Sequence, residues 1–172
     1  MSDPRLFFAL WPEKEVVSAF VDVQDELRNH GRRVAPQNLH LTLFFLGTIK
    51  VHQLGQVQVL ADGIQGNSFD LVFKQLGYWK KPQVIWAGTQ SVPQALEHLV
   101  NQLGSGLADM GFAKELRPYV PHLTLVRKVT KRPKLPEFHP ISWAIDSFCL
   151  VQSRLSSTGA NYQILKSWPL RG

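Results

Sequence analysis

Cysteine is nearly absent from this chain of 172 residues. Cys149 stands alone in the apolar run Phe148–Val151, so no internal disulfide can form, and the thiol reads as core packing in a reducing compartment. No stretch approaches the roughly 20 consecutive apolar residues of a membrane span, and Met1-Ser2-Asp3-Pro4-Arg5 lacks the basic-then-apolar order of a signal peptide. A soluble, cytoplasmic protein with no membrane partner is expected. There is no His-x-His, Cys-x-x-Cys or His-Glu-x-x-His, so no metal is expected. Gly104-Ser105-Gly106 lacks the third glycine and preceding strand of a dinucleotide site, and no Gly-x-x-x-x-Gly-Lys run exists, so no cofactor is expected either. The serine-rich Ser153–Ser157 has no nucleophile elbow and reads as a turn. Acidic residues are few, 13 against 19 Lys and Arg, and the net charge of +6 favours polyanionic partners.

What the chain does have is a word used twice. His40-Leu41-Thr42-Leu43 and His122-Leu123-Thr124-Leu125 each stand four residues after a proline, Pro36 and Pro118. Both are followed by strand-forming residues, and in a strand positions i and i+2 share a face. His40 then lies beside Thr42 and His122 beside Thr124, while the leucines point to a core. One such strand would be an ordinary half-buried element; two copies with a shared proline are not accounted for that way. Two imidazoles near their ordinary pKa of about 6.5 can hold one proton between them, one accepting and the other donating, which suffices for metal-free phosphodiester hydrolysis. Arg127, three residues beyond Thr124, could hold a phosphate by two parallel hydrogen bonds. Arg117 precedes the second motif, and Lys128, Lys131, Arg132 and Lys134 follow it in a proline-interrupted stretch that reads equally well as a solvated loop.

The flanks of the two motifs match. Val16, Phe20, Val23 and Leu27 predict a helix within Pro12–His30 with Gly31 as its stop, and Val92, Leu96, Leu99, Leu103, Leu107 and Met110 predict another closed by Gly111, weakened by Gly104 and Gly106. Val51–Ile64 is a weaker helix. Strands are expected at Arg5–Trp11, Phe69–Tyr78, Val84–Ala87, Trp143–Val151 and Tyr162–Leu165. Phe7, Phe8, Trp11, Tyr78, Trp79 and Trp86 could include a base-stacking platform, but aromatic residues in strands are more often core, and none is given a site role. The pattern is α+β in one two-lobed domain spanning 1–172. If the halves are related by a pseudo-two-fold axis, the motif strands face each other across a cleft.

These features together, with Arg5-Leu6-Phe7-Phe8-Ala9-Leu10-Trp11-Pro12, Asn38–Gly47, Arg117–Arg127, Tyr162–Leu165 and Trp168-Pro169-Leu170, resemble the two-histidine phosphoesterase superfamily, and within it the RNA 2′,3′-cyclic phosphodiesterases historically called 2′-5′ RNA ligases. The resemblance implies a bilobal fold of two antiparallel sheets flanked by helices, with a central cleft and no metal. It implies His40 as proton donor and His122 as acceptor, Thr42, Thr124 and Arg127 as phosphate-binding residues, and RNA with a 2′,3′-cyclic phosphate end as substrate, opened to a 2′-phosphate by a monomer. ATP-independent 2′-5′ ligation by the same site is also implied. Other readings of the residues are a phosphodiesterase for 2′-5′-linked oligonucleotides or small cyclic nucleotides, and a non-catalytic nucleotide-binding or RNA-binding module.

Overall fold

The computed structural model describes residues 2–172. The element order is β1 (Arg5–Leu10), α1 (Lys14–Glu26), β2 (Arg32–Arg33), β3 (Leu41–Thr48), α2 (Leu54–Asp62), β4 (Phe69–Trp79), β5 (Val84–Thr89), α3 (Gln94–Asp109), β6 (His122–Arg127), β7 (Ile141–Ile145), β8 (Ser147–Ser156) and β9 (Gly159–Pro169). The strands run antiparallel in the order β7-β4-β5-β6-β3-β1-β8-β9, with β2 beside β6. The two expected sheets are the halves of this one curled sheet, β7-β4-β5-β6 and β3-β1-β8-β9. They join through a single registered pair, Leu41 opposite Leu123.

The helices form where apolar residues recur every three or four positions. Phe20 and Val23 of α1, Val57 and Ala61 of α2, and Leu96, Leu99, Leu103 and Leu107 of α3 are all buried in one core with the strands. The glycines in α3 do not break it. A Cβ at Gly106 would lie 2.3 Å from Leu60, so the missing side chain lets α2 seat against α3. Gly31, expected as a helix stop, lies beyond the end of α1; a Cβ there would lie 2.4 Å from the Arg127 carbonyl. Its role is the close approach of the chain entering β2 to the end of β6.

Trp143–Val151, expected as one strand, divides at Asp146. The residues before it pair with β4 and those after it with β1, so the chain crosses there from one half of the sheet to the other. The serine-rich segment expected as a turn mostly continues β8, and the turn proper falls at Ser157–Thr158 before Gly159, whose φ of +123° suits glycine. The β8–β9 hairpin is therefore longer than its apolar pattern suggests. No helix among the described residues is long and apolar enough to cross a membrane.

Candidate active site

The Leu41–Leu123 pair sets the geometry of the site. Continuing the antiparallel register by one residue in each direction places His40 opposite Thr124 and His122 opposite Thr42. The local two-fold axis thus passes through the leucine pair. The motif strands, expected to face each other, are instead neighbours that touch at this point, and both imidazoles and both hydroxyls lie on one face. A cleft of about 210 Å³ is lined by His40, Thr42, His122, Thr124 and Arg127, together with Val34, Asn38, Trp79, Pro82 and Val84. All five residues singled out from the sequence come together there.

Arg127 reaches the cleft because the strand is irregular. In a regular strand, three residues beyond Thr124 is the opposite face. Trp86 pairs with Thr124 but Ile85 pairs with Val126, so Leu125 has no partner on β5. This bulge turns Leu125 and Val126 both into the core and returns Arg127 to the histidine face. The carbonyl of Leu125 accepts hydrogen bonds from the Val34 amide and from Nε2 of Gln24, each at 2.9 Å, and Gln24 is fully buried for this purpose. The first motif carries the same device. Phe8 pairs with Phe44 and Ala9 with Thr42, leaving Leu43 unopposed and Phe45, the counterpart of Arg127, exposed.

Each histidine is fixed by the backbone two residues earlier. Nδ1 of His40 donates to the Asn38 carbonyl at 2.7 Å, and Nδ1 of His122 donates to the Val120 carbonyl at 2.9 Å. A carbonyl only accepts, so each neutral ring carries its proton on Nδ1 and offers Nε2 for chemistry. His40 stacks on Trp11 at 5.0 Å with the rings 4° from parallel, and lies 5.0 Å from Phe7 and 5.1 Å from Tyr162. Phe7, Ala9, Cys149 and Val151 form a small apolar layer beneath it, with Trp11 and Tyr162 packed on that layer. Burial pushes the imidazole down from 6.5 to about 4; the Asn38 carbonyl opposes this, and the charges of Arg127 and His122 add to it. His122 is also lowered, by burial first and by Arg127, against the Val120 carbonyl. Burial likewise pushes the Cys149 thiol up to about 12, in keeping with core packing.

Among the aromatics given no site role from the sequence, Phe8 is core, while Tyr78 is half-buried, its hydroxyl donating to the Val129 carbonyl. Phe7 is core as well, buried in the apolar layer and in contact with the His40 ring, whereas the half-buried Trp11, Trp79 and Trp86 wall the histidines. Trp79 lies 4.7 Å from His122 and 4.7 Å from Trp86. The Trp86 indole lies over Gly77 and Gly88, where a Cβ would come within 2.1 and 2.5 Å of it. Tyr162, Asn38 and Tyr119 were also missed from the sequence. Asn38 donates through Nδ2 to the Ala160 carbonyl at 3.0 Å, and the Tyr119 hydroxyl donates to the Thr42 carbonyl at 2.9 Å. The one sequence signal for Asn38 was its place between the shared proline and the histidine. Among the described residues, no three His, Cys, Asp or Glu side chains gather in a metal-binding group.

A two-lobed fold with a histidine and a threonine from each half on one cleft defines the class, and comparison agrees: the chain belongs to the 2'-5' RNA ligase superfamily, whose family model matches residues 12–156. Its relatives include the RNA 2',3'-cyclic phosphodiesterases of Escherichia coli K12, 34% identical over 99% of both chains, and of Thermotoga maritima, 30% identical over 98% of this chain and 96% of that one. Similar solved structures include Escherichia coli LigT complexed with 3'-AMP, with a TM-score of 0.92, 32% identity and 98% of both chains covered.

Proposed function

We propose that this protein opens 2′,3′-cyclic phosphate ends of RNA to 2′-phosphates by histidine acid–base catalysis without a metal. The observation that carries the reading is the symmetric pair of histidines, each anchored through Nδ1 and each opposite the other motif's threonine, on a cleft that also holds Arg127. Both motifs come from one chain, so a monomer suffices. The relatives named RNA 2',3'-cyclic phosphodiesterase support the substrate class.

His122 Nε2 takes a proton from water as the water oxygen bonds to phosphorus. The bond from phosphorus to the ribose 3′-oxygen breaks, and His40 Nε2 delivers a proton to that oxygen. The products are a 2′-phosphomonoester and a 3′-hydroxyl. The resemblance to the two-histidine phosphoesterases supports this direction. Thr42, Thr124 and Arg127 hold the non-bridging oxygens, a role worth about 3 kcal/mol for a well-placed donor. A 5′-hydroxyl in place of water gives a 2′-5′ linkage without ATP.

Mass analysis of products from 2′,3′-cyclic, 2′-5′-linked and 3′-5′-linked substrates tests the reading. The cyclic end should yield a 2′-phosphate, with the rate intact in chelator and reduced roughly 10²-fold or more in His40→Ala and in His122→Ala. A 3′-phosphate product, or turnover of only the linear substrates, overturns it.

A further inference from the structure

β2 consists of two arginines whose side chains go opposite ways. Arg32 lies directly across from Arg127, and Arg33 across from Val126. Opposed residues of an antiparallel pair share a face. Val126 is core, and Arg33 opposite it reaches α1, donating through Nη2 to the Asp25 carboxylate at 2.8 Å and to the Val21 carbonyl at 3.3 Å. Arg32 therefore lies on the other face with Arg127, which lines the cleft.

Two like charges opposed across strands repel and destabilise the pairing. Neither arginine has a carboxylate within 4.0 Å among the described residues, whereas Arg33 does. Arg32 is nevertheless held in place. Its Nη2 donates to the Thr158 carbonyl at 2.6 Å in the β8–β9 turn, and glycine at 159 keeps that approach open, a Cβ there lying 3.3 Å from the same nitrogen. The turn is fastened in its turn by Asn38, whose own carbonyl positions His40. A cation fixed beside another cation, with donors unused and no counter-charge, is arranged for an anion longer than a single phosphate.

We infer that Arg32 holds the phosphodiester next to the reacting one, so that the site is built for the end of an RNA chain in preference to a mononucleotide. The inference rests on the functional reading of the cleft given above. Neighbouring strands lie about 5 Å apart, and consecutive phosphates of one nucleic-acid strand rise by about 3.4 Å, so side chains splayed from opposed positions can serve successive phosphates. With one N–H on Thr158, the guanidinium keeps further donors for a two-point contact.

The test uses ligands that do not turn over. Adenosine 2′-phosphate and the dinucleotide ApA ending in a 2′-phosphate are titrated calorimetrically into the wild type, Arg32→Gln and Arg32→Lys. The wild type should bind the dinucleotide about tenfold or more tighter than the mononucleotide, the scale of one charged hydrogen-bonding contact. Arg32→Gln should lose that advantage while binding the mononucleotide as the wild type does, and Arg32→Lys should recover part of it. A dinucleotide with a neutral methylphosphonate at the internal linkage should bind the wild type no better than the mononucleotide, and this arm needs no variant. Equal wild-type affinity for both phosphate ligands, or an advantage that survives Arg32→Gln and the neutral linkage, overturns the inference. So does a loss that falls equally on the mononucleotide. Binding is read without turnover, so a failure of cyclic-phosphate hydrolysis is a separate result.

Discussion

Ligand binding should pull a proton onto His40. In the free protein, burial against Phe7, Trp11 and Tyr162 holds this imidazole at about 4, down from 6.5. That difference penalises the imidazolium by about 3 kcal/mol, at about 1.4 kcal/mol per tenfold. A phosphate charge about 4 Å away, at an effective dielectric of about 20, returns about 4 kcal/mol and offsets the penalty. The ring should therefore titrate below pH 5 in the free protein and near or above 6.5 with adenosine 2′-phosphate bound. Proton NMR of the imidazole resonance, assigned by its loss in His40→Gln, reads both values. The same shift links to stability. The folded protein binds fewer protons than the unfolded chain between pH 6.5 and 4, so the penalty is absent above 6.5 and grows to about 3 kcal/mol as the pH falls to 4. Denaturant titrations across that window should show the decline, smaller in His40→Gln. Titration near 6.5 in the free protein would show that burial does not keep His40 neutral, and titration at the same low value in the complex would show that bound phosphate does not charge it.

Gln24→Met should remove one of the two donors to the Leu125 carbonyl at the β6 bulge and cost about 1–3 kcal/mol of stability in denaturant; product affinity should fall with it, because the bulge aims Arg127. Arg127→Ala should weaken binding of adenosine 2′-phosphate and slow hydrolysis, and Arg127→Lys should restore only part, since an ammonium lacks the planar two-point contact. Gly77→Ala should displace the Trp86 indole, which a Cβ would meet at 2.1 Å, and cost about 1–3 kcal/mol, read as a fall in Tm together with a change in indole fluorescence.

The repeated motif carried much of the site into view because alternation in a strand is a local rule: it placed His with Thr and the leucines in the core from four residues. The helical stretches were legible for the same reason. Arg127 was legible only as a residue type, since the bulge that aims it is held by Gln24, more than a hundred positions away in sequence. The aromatic walls were hidden by register. Trp86 lies flat only because β4 and β5 set glycines on both sides of it, and a tryptophan in an apolar strand otherwise reads as core. The division at Asp146 was missed although Asp146 and Ser147 interrupt the apolar residues there, because the sequence does not show that the two sides pair with different neighbours.

Whether two histidines share the work of acid and base is read from the pH dependence of hydrolysis of a 2′,3′-cyclic phosphate end. The profile of kcat/KM reports the free enzyme and that of kcat the complex. With both imidazoles lowered by burial in the free protein, kcat/KM should be bell-shaped with its maximum on the acid side of pH 6.5. The kcat profile should have its maximum at higher pH, as bound phosphate raises the acid. In a single-histidine variant with measurable activity, one limb should vanish. A rate that climbs steadily with pH and never falls, or a bell that keeps both limbs after either histidine is removed, is incompatible with paired histidine acid–base catalysis.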